Sequence, residues 1–219
     1  MKKYNGVVRV HITLKSKGNG MLQNPMSDDT LDELIGVKSK AAKEKDIPLV
    51  DIAASRVLKN DKGKPGIKIE YLTACLAEAG RHVKNGKKQI STAGSTSIFG
   101  FLDFQGATFL PFEPVDLKKF TETEREFVHP KEGWLVDKRR GVLNNAGKSV
   151  AVGIVRPLFK HWELKLQVEV NTNAEDGCNI DIVKQLFSAA GTRVGLGDFR
   201  PAKKGPFGMF SVAEFEILE

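Results

Sequence analysis

Cysteine is scarce. Cys75 and Cys178 are the only two in 219 residues, and neither lies in a metal-binding spacing or a disulfide framework. That excludes a cysteine-built zinc module and a small scaffold held by disulfides. Cys75 falls on the apolar face of a predicted helix and reads as core; two such thiols suit a reducing cytoplasm. Histidine is also sparse: His11, His82, His129 and His161 are scattered and form no metal or nucleophile motif. No apolar run approaches membrane-spanning length. The opening MKKYNGVVRVHITL carries two lysines, but its apolar residues alternate with Arg9 and His11, which reads as a strand and not a secretory signal. Tryptophan and tyrosine occur twice each against thirteen phenylalanines, so the core is expected to be packed with phenylalanine.

Excess positive charge is what the chain has. The net charge is +7 and the pI about 9.3, past the value at which a nucleic-acid partner becomes worth testing. An apolar share of 41% and a charged share of 28% fit a soluble globular protein, and the length suits one domain, 1–219, with insertions.

Periodicity supplies the elements. Val8, Val10, Ile12 and Leu14 alternate with Arg9, His11 and Thr13, a strand with one face buried. An irregular stretch, 15–65, follows and reads as an insertion, with a short helix after Ser27 and another from Leu49 to Leu58. Leu72, Cys75, Leu76, Ala79 and Val83 share one face of a helix over 70–83. Residues 98–112 are rich in Phe and Leu, with Gln105-Gly106 placed to turn one strand back on another. Trp162, Leu164, Leu166, Val168 and Val170 form the clearest strand, and a helix capped by Asn179 runs to about Val194. The last strand, 209–218, breaks its alternation between Val212 and Phe215, which predicts a bulge.

Two segments concentrate the candidate chemistry. Residues 195–208 (GLGDFRPAKKGPFG) combine Gly195, Gly197, Gly205 and Gly208 with Arg200, Lys203 and Lys204 and with Phe199 and Phe207. Glycine permits close backbone approach, and nests of exposed N–H groups attract anions, so the loop is expected to contact phosphates, with glycines needed only for packing as the alternative; its aromatics either stack on bases or anchor the loop to the core. Gly195-Leu196-Gly197 follows a helix, whereas a dinucleotide fingerprint follows a strand and opens a helix, so no nucleotide cofactor is expected. In the middle of the chain an insertion, 113–161, holds a hairpin, 134–159, turning at Asn144-Asn145-Ala146-Gly147. From Lys138 to Lys160 it carries six basic residues and no acidic one, and Arg139, Arg140, Lys148 and Arg156 are expected to pair with phosphates, Arg156 having a structural alternative. Arg193 precedes the glycine loop, and Arg81, Lys84, Lys87 and Lys88 cluster after the first strong helix as further candidates.

Without its insertions the chain orders strand, helix, strand, strand, helix, strand: an α+β, ferredoxin-like arrangement with a four-stranded antiparallel sheet and both helices on one face. In this arrangement the chain resembles the RAMP superfamily, whose modified RRM-like members bind CRISPR RNA, and within it the backbone subunits that line guide RNA. The glycine loop matches that superfamily's hallmark, the basic hairpin resembles the thumb such subunits lay across RNA, and insertion 15–65 resembles their finger region. The family's subunits are usually larger and their loop glycines closer together, so the resemblance is to a compact relative of the kind associated with phage genomes. It implies a non-enzymatic protein that tiles head to tail along single-stranded RNA, with other ribonucleoprotein subunits as possible partners, no membrane and no cofactor. Some family members cut RNA with an acidic finger residue, which makes Asp28 or Asp29 the corresponding candidates. Acids at a helix start explain the same cluster without chemistry. A phage single-stranded-DNA-binding or annealing protein, a metal-dependent RNA endonuclease and a structural assembly protein remain open alternatives.

Overall fold

Eleven strands and five α-helices make up the described part of the molecule. In chain order they are β1 (Val7–Ser16), β2 (Met21–Leu22), α1 (Leu49–Ser55), β3 (Gly66–Lys68), α2 (Ile69–Ala79), β4 (Lys84–Asn85), β5 (Lys88–Gln89), α3 (Ile98–Phe101), β6 (Leu102–Asp103), β7 (Phe109–Pro111), α4 (Glu122–Arg125), β8 (Leu135–Asn145), β9 (Lys148–Phe159), β10 (Glu163–Asn171), α5 (Ile180–Ala189) and β11 (Phe210–Leu218). The computed structural model describes residues 6–25, 47–145, 148–173 and 177–218. Asp28 and Asp29, and the helix expected after Ser27, lie outside them.

Alternation along β1 decides the layout. Val10, Ile12 and Leu14 are fully buried, while Arg9, His11, Thr13 and Lys15 take the opposite face. β1 pairs antiparallel with β10 on one side and β11 on the other, and β10 pairs with β6, giving a four-stranded sheet in the order β11-β1-β10-β6. The expected bulge is present: Thr13 faces Glu214 and Leu14 faces Val212, so Ala213 is left over. The apolar face receives α2 through Leu72, Cys75, Leu76 and Ala79, and α5 through Ile180, Val183, Leu186 and Phe187. Each aliphatic side chain fully buried there contributes about 1.5–3 kcal/mol. The Asn179 side chain accepts from the Asp181 N–H and caps α5, and a π-helical turn, Ala190–Val194, continues the helix into the glycine loop.

Residues 98–112 depart from the expected hairpin. Gln105 and Gly106 do turn, both with positive φ, but the strands they join go to different partners. β6 pairs with β10, and β7 pairs with β3. Apolar Phe101, Leu102 and Phe104 suited the first strand of that hairpin, but a single helical turn, α3, uses the first of them.

The two insertions are joined. β8 and β9 form the expected ribbon, and β2, at the start of the first insertion, pairs with the base of β9 at Phe159 and Leu158. α1 packs on the same stem, where the Arg56 guanidinium donates to the Val155 carbonyl. Beyond Pro157, β9 pairs only with β8 among the described residues, which leaves roughly 30 Å of two-stranded ribbon at about 3.3 Å per residue.

Candidate nucleic-acid interface

Period-two geometry puts Asp137, Arg139, Ile154 and Arg156 on one face of the ribbon, with Asp137 directly opposite Arg156. That face meets the glycine loop. Arg156 is only 4% exposed; its guanidinium donates to Asp198 Oδ2 of the loop at 2.7 Å and to Asp137 Oδ2 at 3.2 Å. Asp137 Oδ1 accepts from Arg139 Nε at 2.7 Å, and the Arg139 guanidinium covers the Phe207 ring, 4.5 Å from its centroid. A planar guanidinium with several donors suits two carboxylates held at different angles, which a lysine ammonium would not span as well. Arg156 is therefore not a phosphate contact. It is an internal tie between ribbon and loop, the structural alternative weighed for it, and its buried Nε has no partner among the described residues. Phe207, 3% exposed and capped by Arg139, is likewise removed from base stacking.

The glycines answer to the fold of the loop and not to a bound anion. A Cβ on Gly205 would overlap the Phe199 carbonyl, and one on Gly208 the Leu196 carbonyl. Gly195 and Gly197 both have φ near 77°, and a Cβ on Gly197 would meet the Leu22 carbonyl. The N–H groups are engaged as well: Gly195 donates to Ala190, Leu196 to Gly208, Asp198 to Leu22, Gly205 to Arg200, Phe207 to Phe199 and Gly208 to Gly20. Close backbone approach is real here, but the partner is the chain itself. The expected anion nest is absent from these six positions.

Side-chain cations remain. Lys203 and Lys204 are exposed on the loop, and Lys138 and Arg140 are exposed on the ribbon face opposite Arg139. None of these four has an acidic partner among the described residues. Arg193 is exposed in the π-helical turn. Arg200 is half-buried, donating to the Gly197 carbonyl at 3.1 Å and lying 3.6 Å from Glu78. Lys148 faces Asn145 at the ribbon tip. Phe199 is 39% exposed with φ 48° and leans on Phe207, so it is the loop aromatic open to a ligand.

Arg81, Lys84, Lys87 and Lys88 are not brought to this place. They surround the β4–β5 hairpin, which is fastened to Gly177 by the Asn85 amide, at the opposite end of α5 from Gly195. The fifteen residues 180–194 separate the two ends by roughly 20 Å at the helical rise.

The loop also builds something its sequence did not announce. Its first residues fold against α2 and the strand after β1, leaving a cleft of about 280 Å³ lined by Met21, Gln23, Tyr71, Cys75, Leu196 and Arg200 among others. Gln23 is buried, its amide donating to the Gly66 carbonyl at 2.7 Å and accepting from the Leu58 N–H at 2.9 Å. Burial pushes the Cys75 thiol up to about 12, with Arg200 opposing, so no thiolate is available in the cleft. Tyr71 sits one position off the apolar stripe of α2, which is the only sequence sign that its ring faces outward.

No protein-family model and no curated protein matches this chain. Among the described residues no group of three or more His, Cys, Asp or Glu side chains is placed to hold a metal ion, and no helix is long and apolar enough to cross a membrane.

Proposed function

We propose that this chain is an RNA-binding protein of modified RRM-like, ferredoxin-like fold that grips the backbone of single-stranded RNA with its basic ribbon and glycine-rich loop. The strand order β11-β1-β10-β6 with two helices on one face supports that fold. The observation that supports the function is the exposed positive charge left on the two tied segments: Lys203 and Lys204 on the loop, and Lys138 and Arg140 on the ribbon face turned away from the tie, four cations that no described acid neutralises. Tiling follows from the projecting ribbon. A polar strand bound by repeated copies brings unlike surfaces together head to tail, which builds an open filament. Buried, free Cys75 and Cys178 suit a reducing cytoplasm. Membership of the RAMP superfamily, a guide-RNA role and partner subunits belong to the same proposal and rest on the sequence resemblance.

The test is binding of the purified full chain to a labelled 20-nucleotide RNA and to DNA of the same sequence across a salt series. Four phosphate contacts on a single strand give a slope of log K against log salt of about −3. Tighter binding to RNA and higher-order particles on long RNA support the proposal. Absence of binding at low salt, or a monomer unchanged by long RNA, overturns it. Preference for the DNA oligomer moves the protein to the class of single-stranded-DNA binders.

A further inference from the structure

We infer that the cleft between the glycine loop and α2 holds one unpaired nucleobase of the bound strand, with Tyr71 as its stacking wall; this rests on the RNA-binding reading above. The floor is apolar, made by Met21, Leu58, Ile67, Cys75 and Leu196. Its volume, about 280 Å³, falls just under the roughly 300–1,000 Å³ of ordinary small-molecule pockets, which suits a single ring system. The Asp198 carboxylate also lines the cleft, and Asp198 is already joined to Arg156 and to the Phe199 N–H. With that carboxylate neutralised by Arg156, the cleft is walled by a paired acid over an apolar floor, which offers little to a phosphate and suits a neutral base. Phosphates have their own partners close by, because Arg200 lines the same cleft and Lys203 and Lys204 follow it on the loop.

Tyr71 is the aromatic this geometry selects. It is 40% exposed on the side of α2 turned from the sheet, and its neighbour on the cleft wall, Ala74, is too small to cover the ring. Aromatic rings that receive single-stranded bases are left uncovered in this way, and stacking on them tolerates any base. Asn24 stands exposed at the mouth, its amide without a hydrogen bond among the described residues. The cleft thus gives the protein a contact to the base where the ribbon and loop cations contact only the backbone.

Two labelled 20-mers of equal phosphate count separate the two kinds of contact: oligouridine, and the same ribose-phosphate chain with abasic positions throughout. The full-length protein is expected to bind oligouridine about tenfold more tightly. Tyr71→Ala should weaken oligouridine binding about fivefold, leave the abasic oligomer unaffected and leave the salt slope unchanged; Tyr71→Phe should behave as the parent. Thermal melting of Tyr71→Ala checks that the fold is intact. Equal binding of the two oligomers by the parent protein overturns the inference. So does a loss on Tyr71→Ala that is the same for both oligomers, or discrimination that is abolished by Phe199→Ala and untouched by Tyr71→Ala. Failure of both oligomers to bind at low salt has a different meaning, since it removes the RNA-binding reading on which the cleft depends.

Discussion

Two β surfaces of this molecule carry charge in opposite ways. On the sheet face turned from the helices, positive and negative groups sit across from each other. Arg9 pairs with Glu169 at 2.9 Å, Lys15 with Glu163 at 3.3 Å and Lys165 with Glu113 at 3.6 Å, while Glu214 accepts from the Thr13 hydroxyl at 2.6 Å. No Phe, Tyr or Trp stands among the β1 residues Arg9, His11, Thr13 and Lys15 or among Glu163, Lys165, Gln167 and Glu169 facing them on β10. The ribbon does the reverse: Lys138 and Arg140 are exposed and unopposed, and the acids near them, Asp137 and Asp198, are turned inward onto Arg156. An ordinary RRM stacks bases on its sheet. Here that face is neutralised and has no stacking platform, so under the proposed function nucleic-acid affinity comes from the inserted ribbon and the loop it clasps.

The comparison breaks most visibly at Arg156. Arg156→Met removes the one cation between Asp137 and Asp198 and leaves a carboxylate that is only 8% exposed with Arg139 alone as partner. Stranding one side of a buried ion pair costs about 3–5 kcal/mol, and the remaining Arg139 contact puts this site at the lower end. The expected result is a clearly lower urea midpoint, with RNA affinity falling as ribbon and loop separate. Arg9→Ala, which breaks an exposed pair on the sheet face, should leave the midpoint nearly unchanged because such pairs are worth little in water. Equal shifts for the two variants would show that the tie is no more than a surface contact.

Charge reversal sharpens the same contrast at the level of binding. Lys138→Glu, Arg140→Glu, Lys203→Glu and Lys204→Glu should each flatten the salt slope by about 0.7, the value for one phosphate on a single strand, without altering thermal stability. Lys15→Glu and Lys165→Glu on the sheet face should leave the slope as it was. A slope that responds to the sheet-face variants and ignores the ribbon would relocate the interface and would falsify the assignment made here.

Much of the layout was legible from local pattern. Alternation in Val8–Leu14 and Trp162–Val170, the 3–4 spacing of Leu72, Cys75, Leu76 and Ala79, and the slipped register near Ala213 each follow from side-chain periodicity, which a single strand or helix carries within itself. What could not be read depends on residues far apart in sequence. Arg156 and Asp198 are 42 positions apart, so the following Pro157 hinted at a structural arginine but nothing local named the partner that buries it. The glycines were recognisable as points of close approach, but the identity of what approaches, the carbonyls of Leu22, Leu196 and Phe199, is set by the tertiary fold. The cleft beside Tyr71 is invisible for the same reason: its walls come from β2, α2 and the loop. β6 illustrates a third limit, since two residues suffice to complete the sheet and show no periodicity at all.

The smallest expected effect lies at the joint between the two surfaces. His161 stands between the end of β9 and the start of β10, edge-on to Phe120, with Lys160, Lys119 and Glu124 around it. Burial, aided by Lys160, holds its pKa below the usual 6.5. Because the folded protein binds this proton less tightly than the unfolded chain, the ring is neutral in both states above about pH 6.5 and stability there is unaffected. As pH falls below that value the unfolded state takes up the proton first, and stability declines until the folded pKa is passed. The sheet face responds later. Hydrogen bonds from Arg9 and Gln105 to Glu169, and from Thr13 to Glu214, lower both carboxyls below 4.5, so their contribution is complete above that pH and disappears as pH falls through the folded values. A melting series should therefore show two separate declines, one starting near pH 6.5 that His161→Gln flattens and one below pH 4.5 that Glu214→Gln reduces. A single acid transition, insensitive to His161→Gln, would mean that the joint does not loosen ahead of the sheet and that the two surfaces lose stability together.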